Sequence, residues 1–108
     1  KKAIEETYKS GNLDGIKKIY YPDGSVYSEY LYKAGDYHGA FKEFYANGKV
    51  SEKGTFVDDE LEGEYITYYE DGTVQRTENY VCGERHGKAV YFKKGVKVKE
   101  LTFWAGVP

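Results

Sequence analysis

The sequence predicts an all-β protein, an elongated single-layer antiparallel β-meander of tandem hairpin repeats with a period of 24 residues. Three observations predict this fold. Residues 15–38, 39–62 and 63–86 align without a gap. Each unit places an Asp-Gly or Asn-Gly pair at the same position, between runs in which aromatic residues recur. Thirteen tyrosines, five phenylalanines and 13 glycines favour strands and turns over helices.

The repeats form one array, which we treat as a single domain over residues 1–108. A half repeat, residues 1–14, precedes the three full units, and a shortened unit, residues 87–108, follows them with one residue missing before Gly95. The chain starts in the middle of a repeat. We therefore expect that an upstream segment has been removed, or a leader such as secreted and envelope proteins carry.

Two rows of glycines mark the turns. One row opens the units and the other closes a hairpin turn; they are Gly15, Gly39, Gly63 and Gly87, and Gly24, Gly48, Gly72 and Gly95. The pairs Asp23-Gly24, Asn47-Gly48 and Asp71-Gly72 tolerate positive φ and predict tight hairpins, whereas Lys94-Gly95 is a weaker signal. A second joint, where Gly35, Gly83 and Gly106 recur, links each long strand to the next short one.

Each unit is predicted to contain a short aromatic strand and a longer alternating strand. The short strands end in Tyr20-Tyr21, Phe44-Tyr45, Tyr68-Tyr69 and Tyr91-Phe92. In the first long strand, alternation predicts Val26, Ser28, Tyr30 and Tyr32 on one face and Tyr27, Glu29, Leu31 and Lys33 on the other. The most regular column is Tyr8, Tyr32, Phe56, Tyr80 and Phe103, with Val26, Val50 and Val74 expected on the same face. We expect about nine strands, at residues 2–9, 15–21, 25–33, 39–45, 49–57, 63–69, 73–81, 88–92 and 96–104.

Charge limits the classes of partner. The formal net charge of −2 lacks the basic footprint that nucleic acid demands, so no nucleic-acid partner is predicted. Units 39–62 and 63–86 each carry −3, whereas residues 87–108 carry +4. The acidic stretch from Asp58 to Glu64 is typical of a solvated loop. Calcium binding is the alternative, since carboxylates are hard ligands, but the stretch lacks the spacing of a known calcium loop. No apolar run approaches the roughly 18 residues of a membrane span.

No catalytic constellation is recognisable, so we expect no enzyme, no cofactor and no metal. His38 and His86 occupy the same column two units apart, which corresponds to about 19 Å and is too far for shared ligation. Each histidine is instead predicted to support its own turn. The single cysteine, Cys82, precedes Arg85 and His86, which gives only a faint indication of reactivity. The sequence contains no phosphate loop and no Cys-x-x-Cys motif.

The stretches YLYKAGDYHGAFKEFYANG and KGTFVDDELEGEYITYYEDG resemble the MORN repeat, and more closely its bacterial variant. Gly54 stands at the family's first glycine, Tyr32, Phe56 and Tyr80 at its main aromatic position, and His38-Gly39 and His86-Gly87 at its His-Gly step. The chain departs from the pattern at Asp14-Gly15, Glu62-Gly63 and Asp59, and at Tyr30 and Glu78, which replace the first glycine. The resemblance implies a gently twisted single-layer sheet that serves as a scaffold for proteins or membranes rather than as an enzyme. Bacterial variant members are often labelled antitoxin-like.

A single sheet cannot bury aromatic residues on both faces by itself, so we expect a protein partner or self-association. The predicted anchors are Phe41, Tyr45, Tyr65 and Tyr69, which we expect on one face of two neighbouring units. One alternative is membrane-surface attachment through Lys93, Lys94, Lys97, Lys99 and Trp104, which the net charge disfavours. The other is an antitoxin or immunity protein, which depends wholly on the family resemblance.

Overall fold

The chain forms one open antiparallel meander, a single layer thick. The computed structural model describes residues 4–6, 8–9, 11–105 and 107, without the side chains of residues 5, 8, 9, 12 and 13. The described part measures 43 × 31 × 13 Å. It contains no helix, and hence none that is long and apolar enough to cross a membrane. The predicted all-β meander is therefore confirmed.

The described residues contain long repeat strands and short linking strands. They are β1 (Ile4–Glu5), β2 (Tyr8–Lys9), β3 (Asn12–Leu13), β4 (Gly15–Tyr20), β5 (Val26–Lys33), β6 (Asp36–Tyr37), β7 (Gly39–Phe44), β8 (Val50–Val57), β9 (Glu60–Leu61), β10 (Gly63–Tyr68), β11 (Val74–Val81), β12 (Glu84–Arg85), β13 (Gly87–Lys93) and β14 (Val96–Phe103). The main path of the sheet is β1-β4-β5-β7-β8-β10-β11-β13-β14. The two-residue strands β6, β9 and β12 pair with β5, β8 and β11, and β2 pairs with β3.

The prediction of about nine strands is slightly low because the joints between units are themselves strand-like. The predicted strand at residues 2–9 is divided into β1 and β2, and its residues 2, 3 and 7 lie outside the described residues. The side chain of Tyr8 and all of Gly106 also lie outside them. The other predicted strands match observed strands to within one residue at each end.

The Asp-Gly and Asn-Gly pairs close the hairpins as expected, through a three-residue loop. In the first, the Tyr21 N–H donates to the Ser25 carbonyl at 2.8 Å, and the Gly24 N–H donates to the Tyr21 carbonyl at 2.9 Å. Gly24 has φ 93° while Asp23 keeps negative φ, and the carboxylate of Asp23 accepts the Ser25 N–H at 2.9 Å. The turns at Gly48 and Gly72 repeat this arrangement. The glycine supplies the left-handed residue that such a loop requires.

The second joint is a two-residue turn in which both residues have positive φ. Ala34-Gly35, Asp58-Asp59 and Cys82-Gly83 adopt it, and so does the hairpin turn Lys94-Gly95 of the shortened last unit. These are the backbone angles of a type I′ turn, whose twist matches that of antiparallel strands. The glycines that open the units also have positive φ, between 82° and 115°. At Gly39 an added Cβ would lie 2.8 Å from Leu31 Cδ1.

A register shift in every hairpin changes which face two rows of side chains occupy. Ile19 pairs with Ser28 and Tyr20 pairs with Val26, so Tyr27 is an extra residue on its strand. Since directly opposed residues share a face, Val26, and likewise Val50 and Val74, lie on the face opposite Tyr32, Phe56 and Tyr80. The prediction that these valines share the face of the aromatic column is wrong, because simple alternation ignores the bulge.

The same bulge moves Tyr27 to the face of Ser28, against the prediction. The ring of Tyr27 lies 5.2 Å from that of Tyr21, and Gln75, its equivalent two units later, accepts a hydrogen bond from the buried Thr67 at 3.0 Å. In the last unit the shift falls between Tyr91 and Phe92. Phe92 therefore corresponds to Tyr68, and the alignment of Tyr91-Phe92 with Tyr68-Tyr69 is wrong by one residue.

Candidate functional site

The two faces of the sheet differ sharply in burial. Among the described residues, all six buried ones lie on the face that carries Phe41, which we call the covered face; they are Ser28, Phe41, Thr67, Glu78, Ala89 and Phe103. The aromatic column Tyr32, Phe56, Tyr80 and Phe103 shares this face, as predicted, because each residue pairs with the glycine that opens a unit. The sheet therefore has its core on one side.

Stacked aromatic rings cover this face. Phe41 is 4% exposed and lies between Tyr30, at a ring-centroid distance of 5.0 Å, and Phe56, at 4.9 Å. Tyr37, which extends from β6, adds a further ring 4.9 Å from Phe56. At Gly54 an added Cβ would lie 2.9 Å from a ring carbon of Phe41, so the glycine gives this ring room to lie on the backbone. The short linking strands between units therefore contribute side chains that cover this face of the long strands.

A polar row with two glutamates crosses the covered face, and the sequence analysis missed it. Glu43 and Glu52 lie directly opposite each other on β7 and β8. The hydroxyl of Tyr30 donates to Glu43, and the hydroxyl of Tyr65 donates to Glu52. Partial burial raises the pKa of the Glu43 carboxyl, and the neighbouring Glu52 raises it further, against the hydrogen bond from Tyr30, which lowers it. The sequence signal for this pairing is that the two glutamates lie at equal distances on either side of the Asn47-Gly48 turn, and it becomes informative only once the hairpin register is known.

The tyrosines of this row are held in their neutral form. Burial is the main cause that raises the pKa of both Tyr30 and Tyr65, and their hydrogen bonds to Glu43 and Glu52 raise it further. Each phenol therefore remains a donor to its carboxylate over the whole physiological range. Tyr30, Glu43, Glu52 and Tyr65 thus form a row of polar side chains that hydrogen-bond within the protein.

A second polar cluster surrounds Glu78, which is only 1% exposed. Its carboxylate lies 3.1 Å from Arg85 Nε and 3.6 Å from Arg76 Nε, and it accepts a hydrogen bond from Tyr80 at 3.2 Å. Arg85, which extends from β12, also lies over the ring of Phe103 at 5.2 Å. Glu78 is the equivalent of Gly54 in the preceding unit, and its buried charge is balanced by the two guanidinium groups.

The four predicted anchors belong to the structure of the covered face itself. Phe41 is buried, and Tyr65 is engaged with Glu52. The hydroxyls of Tyr45 and Tyr69 donate to the backbone carbonyls of Tyr68 and Phe92, one unit further along the chain. Tyr21 makes the equivalent hydrogen bond to Phe44 at 2.7 Å. This row of tyrosines therefore ties each unit to the next.

The opposite face, which we call the open face, carries a second aromatic row. Each hairpin contributes one residue to this row, at the position where its register shifts, and these residues are partly exposed. They are Tyr20, Phe44, Tyr68 and Phe92. Shallow depressions flank this row. One is lined by Lys42, Val50, Lys53 and Tyr68, and the Lys53 ammonium lies 6.0 Å from the centre of the Tyr68 ring. In the described residues this face has no second layer over it, because the sheet is only 13 Å thick.

His38 supports a turn, but it is the turn of the next unit and not its own. Its Nδ1 accepts the backbone N–H of Asp58 at 3.4 Å. Asp14 and Glu62, at the equivalent position, accept the N–H groups of Ala34 and Cys82 at 3.3 and 2.9 Å. Histidine, aspartate and glutamate all supply an acceptor to the turn here, which explains why the chain carries any of the three before the unit-opening glycine.

The remaining candidates each have their own surroundings. The ring of His86 lies 4.7 Å from that of Trp104, with the two ring planes tilted by 48°. Cys82 is exposed in its turn. Asp59 accepts the Tyr37 N–H at 2.7 Å, so part of the acidic stretch serves the backbone. Within the described residues, no group of three or more histidine, cysteine or acidic side chains is arranged to hold a metal ion.

The basic end of the chain combines lysines with exposed apolar side chains. Trp104 is 75% exposed, and Val96 and Val98 are also exposed. Lys97 and Lys88 contact Glu100 at 2.9 and 3.6 Å, and Lys99 lies over the ring of Tyr91 at 5.6 Å. Three of the lysines in this region are therefore engaged with other side chains.

Comparison with known proteins identifies the repeat. A family profile described as MORN repeat variant matches residues 13–34, 37–58 and 61–81. No significant match was found among curated proteins. Among solved structures, the chain is similar to part of an S. aureus TarM mutant crystallised in complex with fondaparinux, alpha-GlcNAc-glycerol and UDP. The identity is 16% and the TM-score 0.38, and the similarity covers 94% of this chain and 21% of that one. The chain thus spans about a fifth of the length of that protein.

Proposed function

We propose that this chain, which belongs to the MORN repeat variant family, is a non-catalytic protein-interaction module that binds a partner protein through its open face. One observation carries the proposal. Among the residues that the structure describes, all six buried ones lie on the covered face, while the aromatic row of Tyr20, Phe44, Tyr68 and Phe92 is partly exposed on a face that has no second layer. Exposed aromatic surface of this kind is typical of a binding site.

The chemistry of the open face suits recognition of a protein. Phenylalanine and tyrosine offer large, stiff contact areas at a small cost in conformational entropy. Lys42 and Lys53 flank the row and favour a partner with acidic groups at the rim of the interface. The proposed anchors therefore differ from Phe41, Tyr45, Tyr65 and Tyr69, which the covered face uses itself.

Two substitutions on the open face test the proposal. Phe44→Ser and Tyr68→Ser together remove the centre of the aromatic row, and Phe41→Leu on the same strand as Phe44 is the control on the covered face. A partner captured from native extract is identified and purified, and its affinity for each variant is measured by calorimetry. We expect the double variant to lose at least about tenfold in affinity, as hot-spot residues do, and Phe41→Leu to keep it.

Equal affinities for the wild type and the double variant would contradict the proposal, provided that circular dichroism shows both to be folded. Light scattering coupled to size exclusion separates a partner protein from a second copy, because self-association through the open face would appear as a dimer that the double variant loses. An antitoxin role is a special case of the same proposal, in which the partner protein is a toxin. Such a partner would be recognised by its toxic activity, which binding of this chain would suppress.

Membrane-surface attachment is the second candidate function. It is favoured by the exposure of Trp104, Lys93 and Lys94, although the register of β13 and β14 places Trp104 at the opposite end of the hairpin from the two lysines. It is disfavoured by the net charge and by the engagement of Lys97 with Glu100. Co-sedimentation with phosphatidylserine vesicles at low and high salt decides it, since binding that is absent or insensitive to salt excludes attachment through these lysines.

A further inference from the structure

Two lysines on the open face lie directly opposite each other. Lys42 of β7 and Lys53 of β8 form a cross-strand pair in the middle of the array, with β5 on one side and β10 on the other. Both side chains are exposed. Like charges in this position repel each other and destabilise the sheet. An anionic group bound between the two ammonium groups would remove this repulsion.

Neither ammonium group has an ion-pair partner among the described residues. Glu29 lies across from Lys42 on β5, but its carboxylate contacts the Lys18 ammonium at 3.8 Å. The residue across from Lys53 on β10 is Ile66, which has no charge to offer. Because β7 and β8 are interior strands, these surroundings are the same wherever the array ends. Both charges are therefore available to a group outside the chain.

The lysine pair separates two depressions in the open face, and both lysines line each of them. One depression, of about 370 Å³, extends towards the glycines that open the units, where Ala40, Thr55 and Ile66 line it. The other, also of about 370 Å³, extends towards the hairpin turns, where Val50 and Tyr68 line it. Apolar contact surface is thus present on both sides of the two charges.

The spacing along β7 indicates how a partner segment matches these positions. Ala40, Lys42 and Phe44 are every second residue of the strand, and all three face the open side. An extended segment that lies along the strand also presents every second side chain to the sheet, at the same interval of about 6.8 Å. Such a segment places one side chain over the lysines and one on each side of them.

We propose that the open face binds an extended segment of the partner protein in which an aspartate or glutamate has an apolar residue two positions away on each side, and that Lys42 and Lys53 hold the carboxylate. This inference rests on the proposed function and names the chemistry of the partner. A carboxylate has two oxygens, one for each ammonium group. A dianionic phosphate fits less well, because Glu64 lines one of the depressions beside the lysines and would repel it.

The probe is a synthetic peptide of sequence SLTETLS, titrated into the isotope-labelled 108-residue chain and followed by NMR, which detects millimolar affinities. We expect saturable shifts of the amide signals of Lys42, Lys53 and Tyr68. The matched peptide SLTQTLS is expected to bind at least about fivefold more weakly, and so is SLTETLS to the variant Lys42→Gln/Lys53→Gln. Lys88→Gln is the matched control. It removes the same charge from another part of the open face and is expected to leave the affinity unchanged.

The inference can fail while the proposed function stands. That is the result if the purified partner loses affinity for Phe44→Ser/Tyr68→Ser but binds Lys42→Gln/Lys53→Gln as tightly as the wild type. The inference is also overturned if no amide signal shifts saturably, if SLTQTLS binds as tightly as SLTETLS, or if inorganic phosphate or phosphatidylserine vesicles bind these lysines more tightly than the peptide. Shifts that depend on the concentration of the chain alone would overturn it too, because the occupant would then be a second copy.

Discussion

Truncation of Phe41 separates a core residue from a binding anchor. Phe41→Ala removes a ring that is 4% exposed and that lies within 5.0 Å of the rings of Tyr30 and Phe56. Buried Phe→Ala substitutions lower the free energy of unfolding by about 3–5 kcal/mol. We expect the lower end, about 3 kcal/mol, because in a single layer the neighbouring rings can move into the gap.

Urea unfolding followed by far-ultraviolet circular dichroism measures this loss. With a slope of about 1.5 kcal/mol/M, the midpoint should fall by about 2 M while the slope stays the same. Phe44→Ala is the matched control on the same strand but on the open face. We expect it to lower the free energy of unfolding by less than half as much as Phe41→Ala does. A loss below about 1 kcal/mol for Phe41→Ala, or an equal loss for the two variants, would refute the assignment of the two faces.

Three further substitutions test individual contacts. Glu43→Gln keeps an acceptor for Tyr30 and removes the repulsion with Glu52; because the pKa of Glu43 is raised in the folded state, the wild type loses stability as the pH rises through that pKa. The variant should therefore gain about 0.2–1 kcal/mol over the wild type at pH 7 and nothing at pH 4 in urea titrations, and an equal difference at both pH values would contradict this. Gly54→Ala should cost about 1–3 kcal/mol in the same assay, because its Cβ would lie 2.9 Å from the Phe41 ring, and a neutral effect would mean that the ring is not fixed there. Tyr69→Phe removes a 2.9 Å hydrogen bond between units and should cost about 0.5–1.5 kcal/mol, with an unchanged melting temperature as the contrary result.

The architecture was predictable because it depends on signals that recur at a fixed spacing. The turn residues Asp23-Gly24 and their equivalents define the hairpins, and the unit-opening glycines align the aromatic column opposite them. A single unit would have been ambiguous. Because the same pattern recurs in register, strands could be predicted even for segments whose local β propensity is weak.

The distribution of side chains between the faces was predictable only in part. Alternation holds from Ser28 to Lys33, but the extra residue at Tyr27 reverses Val26, and nothing in a period-two pattern indicates a bulge. The glutamate pair was missed for a related reason. Glu43 and Glu52 become neighbours only when the hairpin register is known.

The role of His38 required the stacking of whole units. The donor to its Nδ1, the backbone N–H of Asp58, is 20 residues away, and the same spacing joins Asp14 to the N–H of Ala34. A histidine considered alone suggests a catalytic or metal-binding role, or a contact within its own turn. Its contact with the following unit emerges only from the three-dimensional repeat.

Hydroxyl-radical footprinting of Phe41 and Phe44, read by mass spectrometry with and without the purified partner, tests the central claim most directly. The two rings have the same intrinsic reactivity and lie on the same strand, one on each face. The account predicts that Phe44 is modified in the free chain and protected in the complex, while Phe41 is modified little in either state. Strong modification of Phe41 in the free chain, with protection on binding, would contradict it.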